Sequence, residues 1–321
     1  MRRLKYFLII LLSVLFVYSC NPNTGNSTGD NQNTENNENN DNNESSEKAI
    51  IINHNSINLA KVPEEWIVKA KEKFKVAYSH TSHGSQIVTG MKALSSYSDS
   101  SVSLKNVVAS LPISFTYSSW GFATGVFFAD YWGDEAEGYD LGHNGDLTWS
   151  NATKMLLSRN GNDRNVVMWS WCGGVSDNDE RGIKAYLDAM NKLEKDYPDI
   201  KFIYMTGHLD GTGVNGNLHK RNEQIRIYCE KNGKILFDFA DIESYDPNGK
   251  YFLDRGADDG CNYDSGNWAE QWIGANSDSE LARLAKSGNC EECAHSQRLN
   301  CIMKGRAFWY MMARMAGWNG N

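Results

Sequence analysis

Residues 75–94 read KVAYSHTSHGSQIVTGMKAL. A short apolar run, KVAY, gives way to the polar cluster SHTSHG. The segment QIVTGMKAL follows, with Ile87, Met91 and Leu94 recurring on one helical face. An apolar run, a polar turn and an amphipathic stretch in that order predict a strand feeding a helix. His80, Ser82, His83, Ser85 and Gln86 crowd that junction, so it reads as either a tight cap or a reactive site.

The flanking sequence repeats the alternation. VPEEWIVKAKEKF (62–74) places Trp66, Ile67, Ala70 and Phe74 at helical spacing, with Pro63 near its start. NVVMWSW (165–171), DIKFIYM (199–205) and KILFDF (234–239) predict buried strands. Between them, GIKAYLDAMNKLEKDY (182–197) carries the stripe Ile183, Leu187, Met190 and Leu193. NLHKRNEQIRIYCEKNG (217–233) predicts a helix closed by Gly233, and KGRAFWYMMARMAGW (304–318) a last helix with Phe308, Met311, Met312 and Met315 facing in. Strands that alternate with helices need crossover connections, which predicts an α/β fold of three layers with a mainly parallel sheet. Residues 244–290, rich in Gly, Asn and Asp with scattered Trp, are expected to form a long ordered loop region of the same domain.

In an open parallel sheet, ligands bind outside the carboxyl ends of the strands. SHTSHG, WCGGVSDND (171–179) and TGHLDG (206–211) each follow a predicted strand, so all three belong to that edge. A hydroxyl nucleophile needs a base and donors for the developing oxyanion. Ser82 has the position for it; a serine before a helix also serves as an ordinary N-cap. Near the other terminus, EECAHSQRLNC (291–301) sets Glu292 three residues before His295, just ahead of the last helix. A carboxylate so placed is expected to orient the imidazole, and serine first with acid and histidine last is a known chain order for a triad.

These blocks resemble the SGNH hydrolase superfamily. YLDAMNKLEKDYPDIKFIYMTG (186–207) is similar to the segment that follows the third block there. YSHTSHGSQIVTGM, YMTGHLDGTG, LFDFADIESYDP and LNCIMKGRAFW resemble, more closely, a group of secreted bacterial proteins with an HTSHGSQ motif. The resemblance implies a flavodoxin-like layering, Ser82 as nucleophile, His295 as base and Glu292 as its orienting acid. It implies oxyanion donors at the Ser82 N–H, at Gly121 or Gly125, and at a group in CGGVSDND such as Gly173. It implies no cofactor and an ester substrate. The chain departs from the pattern in having His80-Thr81-Ser82 at the first block and Cys172-Gly173-Gly174 at the third, with Asn178-Asp179 displaced.

Other residues suit the same edge. His80, His83, His208 and Asp210 are candidate substrate contacts, and Asp238, Asp241 and Asp246 are further carboxylates. Asp210 equally suits a turn with Gly211. His80 and His83, with or without His208, also suit a metal site. Trp120, Trp169, Trp171, Trp268 and Trp272 offer flat faces for sugar rings or mass for a core.

The N-terminus, MRRLKYFLIILLSVLFVYSC, has a basic start, a short apolar run and Cys20 in a lipobox-like context. It is expected to be a lipoprotein signal, residues 1–20, with lipidation at Cys20; an uncleaved anchor or an ordinary secretory peptide are the alternatives. Residues 21–47 hold no aromatic and no aliphatic residue larger than Thr, and read as an Asn-rich disordered tether. The folded domain is then 48–321, anchored in a bacterial cell envelope through the lipid alone. A net charge of −8 argues against a nucleic-acid binder, which normally carries a basic face. Apart from Cys20, the six cysteines Cys172, Cys229, Cys261, Cys290, Cys293 and Cys301 suit disulfides in an exported chain, chiefly as staples of the C-terminal region, while Cys172, after an apolar run, equally suits a buried thiol. Zinc held by Cys290, Cys293, His295 and Cys301 is the competing reading. The expected activity is deacylation of a glycan; a non-catalytic glycan-binding lipoprotein and a histidine-based metal enzyme are the alternatives.

Overall fold

The computed structural model describes residues 48–96, 125–132 and 140–321. The leader with Cys20, the tether, Trp120 and Gly121 lie outside these residues. The chain runs β1 (Ile50–Ile52), α1 (Glu64–Lys73), β2 (Val76–His80), α2 (Ser85–Ser96), β3 (Phe128–Trp132), α3 (Thr148–Leu157), β4 (Val166–Trp169), α4 (Gly174–Asp177), α5 (Glu180–Asp196), β5 (Lys201–Met205), α6 (Asn217–Lys231), β6 (Ile235–Phe237) and α7 (Phe239–Glu243). A two-residue-strand hairpin (β7, Asn262–Tyr263; β8, Gly266–Asn267), α8 (Trp268–Ala275), α9 (Glu280–Lys286) and the long α10 (Arg298–Ala316) complete it.

Among the described residues, six strands form one sheet in the order β1-β6-β5-β4-β2-β3, and every neighbouring pair is parallel. Helices α1, α2 and α10 pack against one another in one layer, and α3, α5 and α6 in the other. The α/β fold with a parallel sheet thus stands as expected. The reason is visible in β2, where all five residues are buried: a central parallel strand covered on both faces must be continuous rather than alternating. Helix α5 shows the matching logic from outside. Its stripe of Ile183, Tyr186, Leu187, Met190 and Leu193 is buried, each side chain worth about 1.5–3 kcal/mol against exposure.

Three elements were not legible in the hydrophobic pattern. β1 is only three residues long, β3 carries Asp130 in its middle, and α3 begins without a side-chain cap. Residues 244–290 are also more regular than a loop, since they hold the hairpin, α8 and α9. Of the C-terminal cysteines, only Cys293 and Cys301 are joined; Cys172, Cys229, Cys261 and Cys290 are free thiols. That disulfide removes two of the four proposed zinc ligands. Trp169, Trp171, Trp268 and Trp272 are all buried core mass, so they offer no face to a sugar. Among the described residues no helix is long and apolar enough to cross a membrane.

Two close helix contacts set the site. A Cβ on Gly90 of α2 would lie 1.8 Å from the Cys301 carbonyl oxygen of α10, and one on Gly305 would lie 2.4 Å from the Gly90 carbonyl carbon. The two backbones therefore touch where neither helix has a side chain. This contact brings the start of α2 and the start of α10 to the same edge of the sheet.

Candidate active site

The register aligns the strands that carry the site. Ser79 of β2 lies opposite both Tyr131 of β3 and Trp169 of β4, so β2 and β4 end together. The turn 81–84 leaves β2, and the segment 170–173 leaves β4. Asp140 ties them: it accepts from the Thr81 N–H (3.0 Å), the Thr81 hydroxyl and the Ser170 hydroxyl (3.0 Å). The turn must also pass close to β4, because a Cβ on Gly84 would lie 2.3 Å from Ser170 Oγ.

Ser82 projects from this turn, and its hydroxyl faces side chains of other segments rather than the helix start. Its Oγ lies 2.9 Å from His295 Nε2 and 3.6 Å from Cys172 Sγ, and among the described residues it caps no backbone N–H. Ser82 and His295 are 213 residues apart in sequence, so only the fold brings them together. His295 is exposed, and its φ of +59° puts a non-glycine residue in the left-handed region. Such a conformation costs on the order of 1 kcal/mol or more and persists where its surroundings enforce it. Here the Cys293–Cys301 disulfide and the bond from Gln86 Nε2 to the Ala294 carbonyl (2.7 Å) hold the loop.

A second imidazole sits beneath the first. His83 stacks on His295 with ring centroids 4.4 Å apart, and on His208 at 3.6 Å and 6°. Its Nδ1 lies 3.0 Å from Cys172 Sγ, and its Nε2 lies 2.9 Å from Asp259 Oδ2. With Nε2–H donating to the carboxylate, Nδ1 is left as an acceptor facing the thiol. Burial lowers the His83 pKa to about 4; the hydrogen bond to Asp259 opposes this, and the charges of His208 and His295 add to it. Burial works against the charge on Asp259 as well, but the bond from His83 and the charge of His208 outweigh it and hold the carboxyl below its usual range. His208 completes the floor: its Nε2 accepts from the Gly173 N–H (3.1 Å), and its Nδ1 donates to the Leu209 carbonyl (2.9 Å).

A buried polar network supports these loops from behind. Lys304 of α10 and Glu243 of α7 are fully buried and paired at 2.5 Å. Lys304 also donates to Gln86, whose amide holds the His295 loop, and Glu243 accepts from the Leu209 N–H (2.7 Å) beside His208. Burial depresses the Lys304 pKa and raises that of Glu243, each against the pull of its partner. Removing one member of such a pair strands the other charge, at about 3–5 kcal/mol.

Several expected residues lie elsewhere. Glu292 is exposed and makes no hydrogen bond or ion pair among the described residues. Spacing of three puts two side chains on one face only within a helix, and residues 291–293 are not helical. Gly125 precedes β3 and so lies at the amino edge of the sheet, where its N–H meets Asp163 and its carbonyl Lys75. It cannot serve an oxyanion at the opposite edge. Gly173 has its N–H engaged by His208. His80 is buried, with its ring nitrogens on Asp130 and the Thr81 carbonyl, and so braces the turn from within. Asp210 forms a turn, accepting from the Thr212 N–H (3.0 Å). Asp238 binds Arg226 and caps α7, Asp241 binds His54, and Asp246 closes a turn on Asn248 and Lys250. Asn178 is buried on the Gly142 and Gly174 carbonyls, and Asp179 caps α5.

The sequence reading missed Asp259, Asp140, Lys304 and Glu243. Asp259 sits in GADDGC, which looks like any turn, and its role exists only through His83. His83, His208 and Asp259 are also the group, among the described residues, whose ligand atoms converge within 4.8 Å. Their stacking does not suit a shared cation. Parallel rings 3.6 Å apart would leave an ion midway about 1.8 Å out of each ring plane, whereas an imidazole lone pair lies in its plane and binds zinc at about 2.0 Å. In comparisons with protein families, curated proteins and solved structures, the chain matches none.

Proposed function

We propose that the protein is a serine hydrolase that cleaves esters through an acyl-enzyme, with Ser82 as nucleophile and His295 as base. The observation that carries this is the 2.9 Å contact between Ser82 Oγ and His295 Nε2 at the carboxyl edge of the sheet. In this scheme His295 takes the hydroxyl proton as Ser82 Oγ attacks the acyl carbon. The leaving alkoxide then takes the proton from His295, and water, activated by the same ring, releases the acid. The N–H groups of Ser82 and His83 carry no hydrogen bond among the described residues and are the nearest donors for the oxyanion. Among the described residues His295 has no carboxylate partner, so its orientation rests on stacking against His83, which burial keeps uncharged. The resemblance to SGNH hydrolases and the lipoprotein-like leader favour an O-acylated glycan outside the cytosol as substrate.

The test is fluorophosphonate labelling of the purified full chain, with the adduct located by peptide mass spectrometry and acetate release from O-acetylated polysaccharides measured alongside. The expected adduct is on Ser82, formed about a hundredfold more slowly in His295→Ala. A folded protein that takes no adduct at Ser82, or takes it equally well without His295, would sink the reading.

A further inference from the structure

The Ser82–His295 pair leaves a second reactive arrangement unused. Cys172 Sγ lies 3.0 Å from His83 Nδ1, and the other nitrogen of that ring lies 2.9 Å from Asp259 Oδ2. Thiol, imidazole and carboxylate thus stand in line, with the tautomer fixed by the carboxylate so that the free lone pair faces sulfur. This is the geometry by which a base activates a nucleophile and an acid orients the base, here assembled from the segment after β4, the β2–α2 turn and the loop before β7. The other free thiols lack it. Cys229, Cys261 and Cys290 are buried, and burial pushes their pKa values up, to about 12 for Cys261 and about 11 for Cys290. Cys172 is only half-buried, and its sulfur lies 3.6 Å from Ser82 Oγ. A carbonyl carbon within reach of Ser82 is therefore within reach of Cys172.

We infer that Cys172 is a second nucleophile of this cleft, with His83 as its base and Asp259 as the residue that positions His83. Its substrates are acyl donors, esters or thioesters. The Cys172 thiol proton passes to His83 Nδ1 as sulfur bonds to the acyl carbon. The bond from that carbon to the leaving oxygen or sulfur breaks, and the leaving atom takes the proton from His83. Water then attacks the thioester and gives a proton to His83; the acid departs, and the proton returns to Cys172. The inference shares a cleft with the serine reading but does not depend on it, because it uses neither Ser82 nor His295.

The test uses the full chain carrying Ser82→Ala, so that the hydroxyl cannot consume the donor, and p-nitrophenyl acetate as the probe. Release of p-nitrophenolate is expected to persist above the buffer rate, to vanish in S82A/C172A and to fall about a hundredfold in S82A/H83Q. Any accumulated acetyl group should map to Cys172 and be cleaved by neutral hydroxylamine. Release in S82A no faster than in S82A/C172A overturns the inference, and so does release that H83Q leaves unchanged. Should H83Q fail to fold by circular dichroism, S82A/D259N replaces it, with a fall of at least about tenfold expected because Asp259 acts only through His83. Fluorophosphonate labelling of Ser82 in Cys172→Ala reads the other nucleophile separately, so either assignment can fail alone.

Discussion

At the residue scale, the site depends on side chains that owe their partners to distant segments. His295 is the sharpest case. Its neighbour in sequence, Glu292, is exposed, while its side-chain contacts are Ser82 and the ring of His83. The consequence is specific. Glu292→Gln should leave the rate of Ser82 labelling within about twofold of the parent, as for an ordinary surface change. A hundredfold loss in that variant, matching His295→Ala, would restore the carboxylate to the triad.

At the scale of elements, the Ser82–His295 contact hangs on the packing of α2 against α10. Ser82 precedes α2 by three residues and His295 precedes α10 by three, so the helices act as two arms that meet at Gly90 and Gly305. Gly90→Ala would place a methyl group 1.8 Å from the Cys301 carbonyl oxygen, which no rotamer can relieve. Overpacking of this kind costs about 1–3 kcal/mol. The variant should melt at lower temperature and, where still folded, label more slowly at Ser82 because the two arms have separated. Unchanged melting by circular dichroism would show that the helices can part freely there. The Lys304–Glu243 pair buttresses the same arms from below, through Gln86 and the Leu209 N–H.

For the whole molecule, the buried imidazole couples the site to acid stability. In the unfolded chain His83 takes up a proton near pH 6.5, but in the folded protein only near pH 4. Asp259, Cys172, His208 and His295 face its ring, and Asp259 alone favours the charged form. Between those two pH values the unfolded state holds more protons, so stability falls as pH drops from 6.5 towards 4. Asp259 itself, held below its ordinary 3.8, loses its contribution only at lower pH. Urea midpoints measured across this interval should decline in the parent and decline less in His83→Gln. Parallel slopes for the two proteins would show that His83 is not the group responsible.

The hydrophobic pattern by itself determined the α/β alternation, the parallel sheet and the edge on which polar loops gather. Those features follow from local periodicity: a doubly covered strand must be a continuous apolar run, and an outer helix must carry a stripe. It also singled out Ser82, His83 and His208, because polar residues at strand ends stand out against such runs, while His295 stood out by its spacing from Glu292 ahead of the last helix. The partners were decided only by tertiary structure. Glu292 and His295 are close in sequence yet share no hydrogen bond, whereas Ser82 and His295, or His83 and Asp259, join across more than half the domain. A short strand with a buried Asp130 and a turn carrying Asp259 show no periodic signal of their own. Their meaning lies in hydrogen bonds to His80 and His83, residues distant in sequence that only the folded chain brings to them.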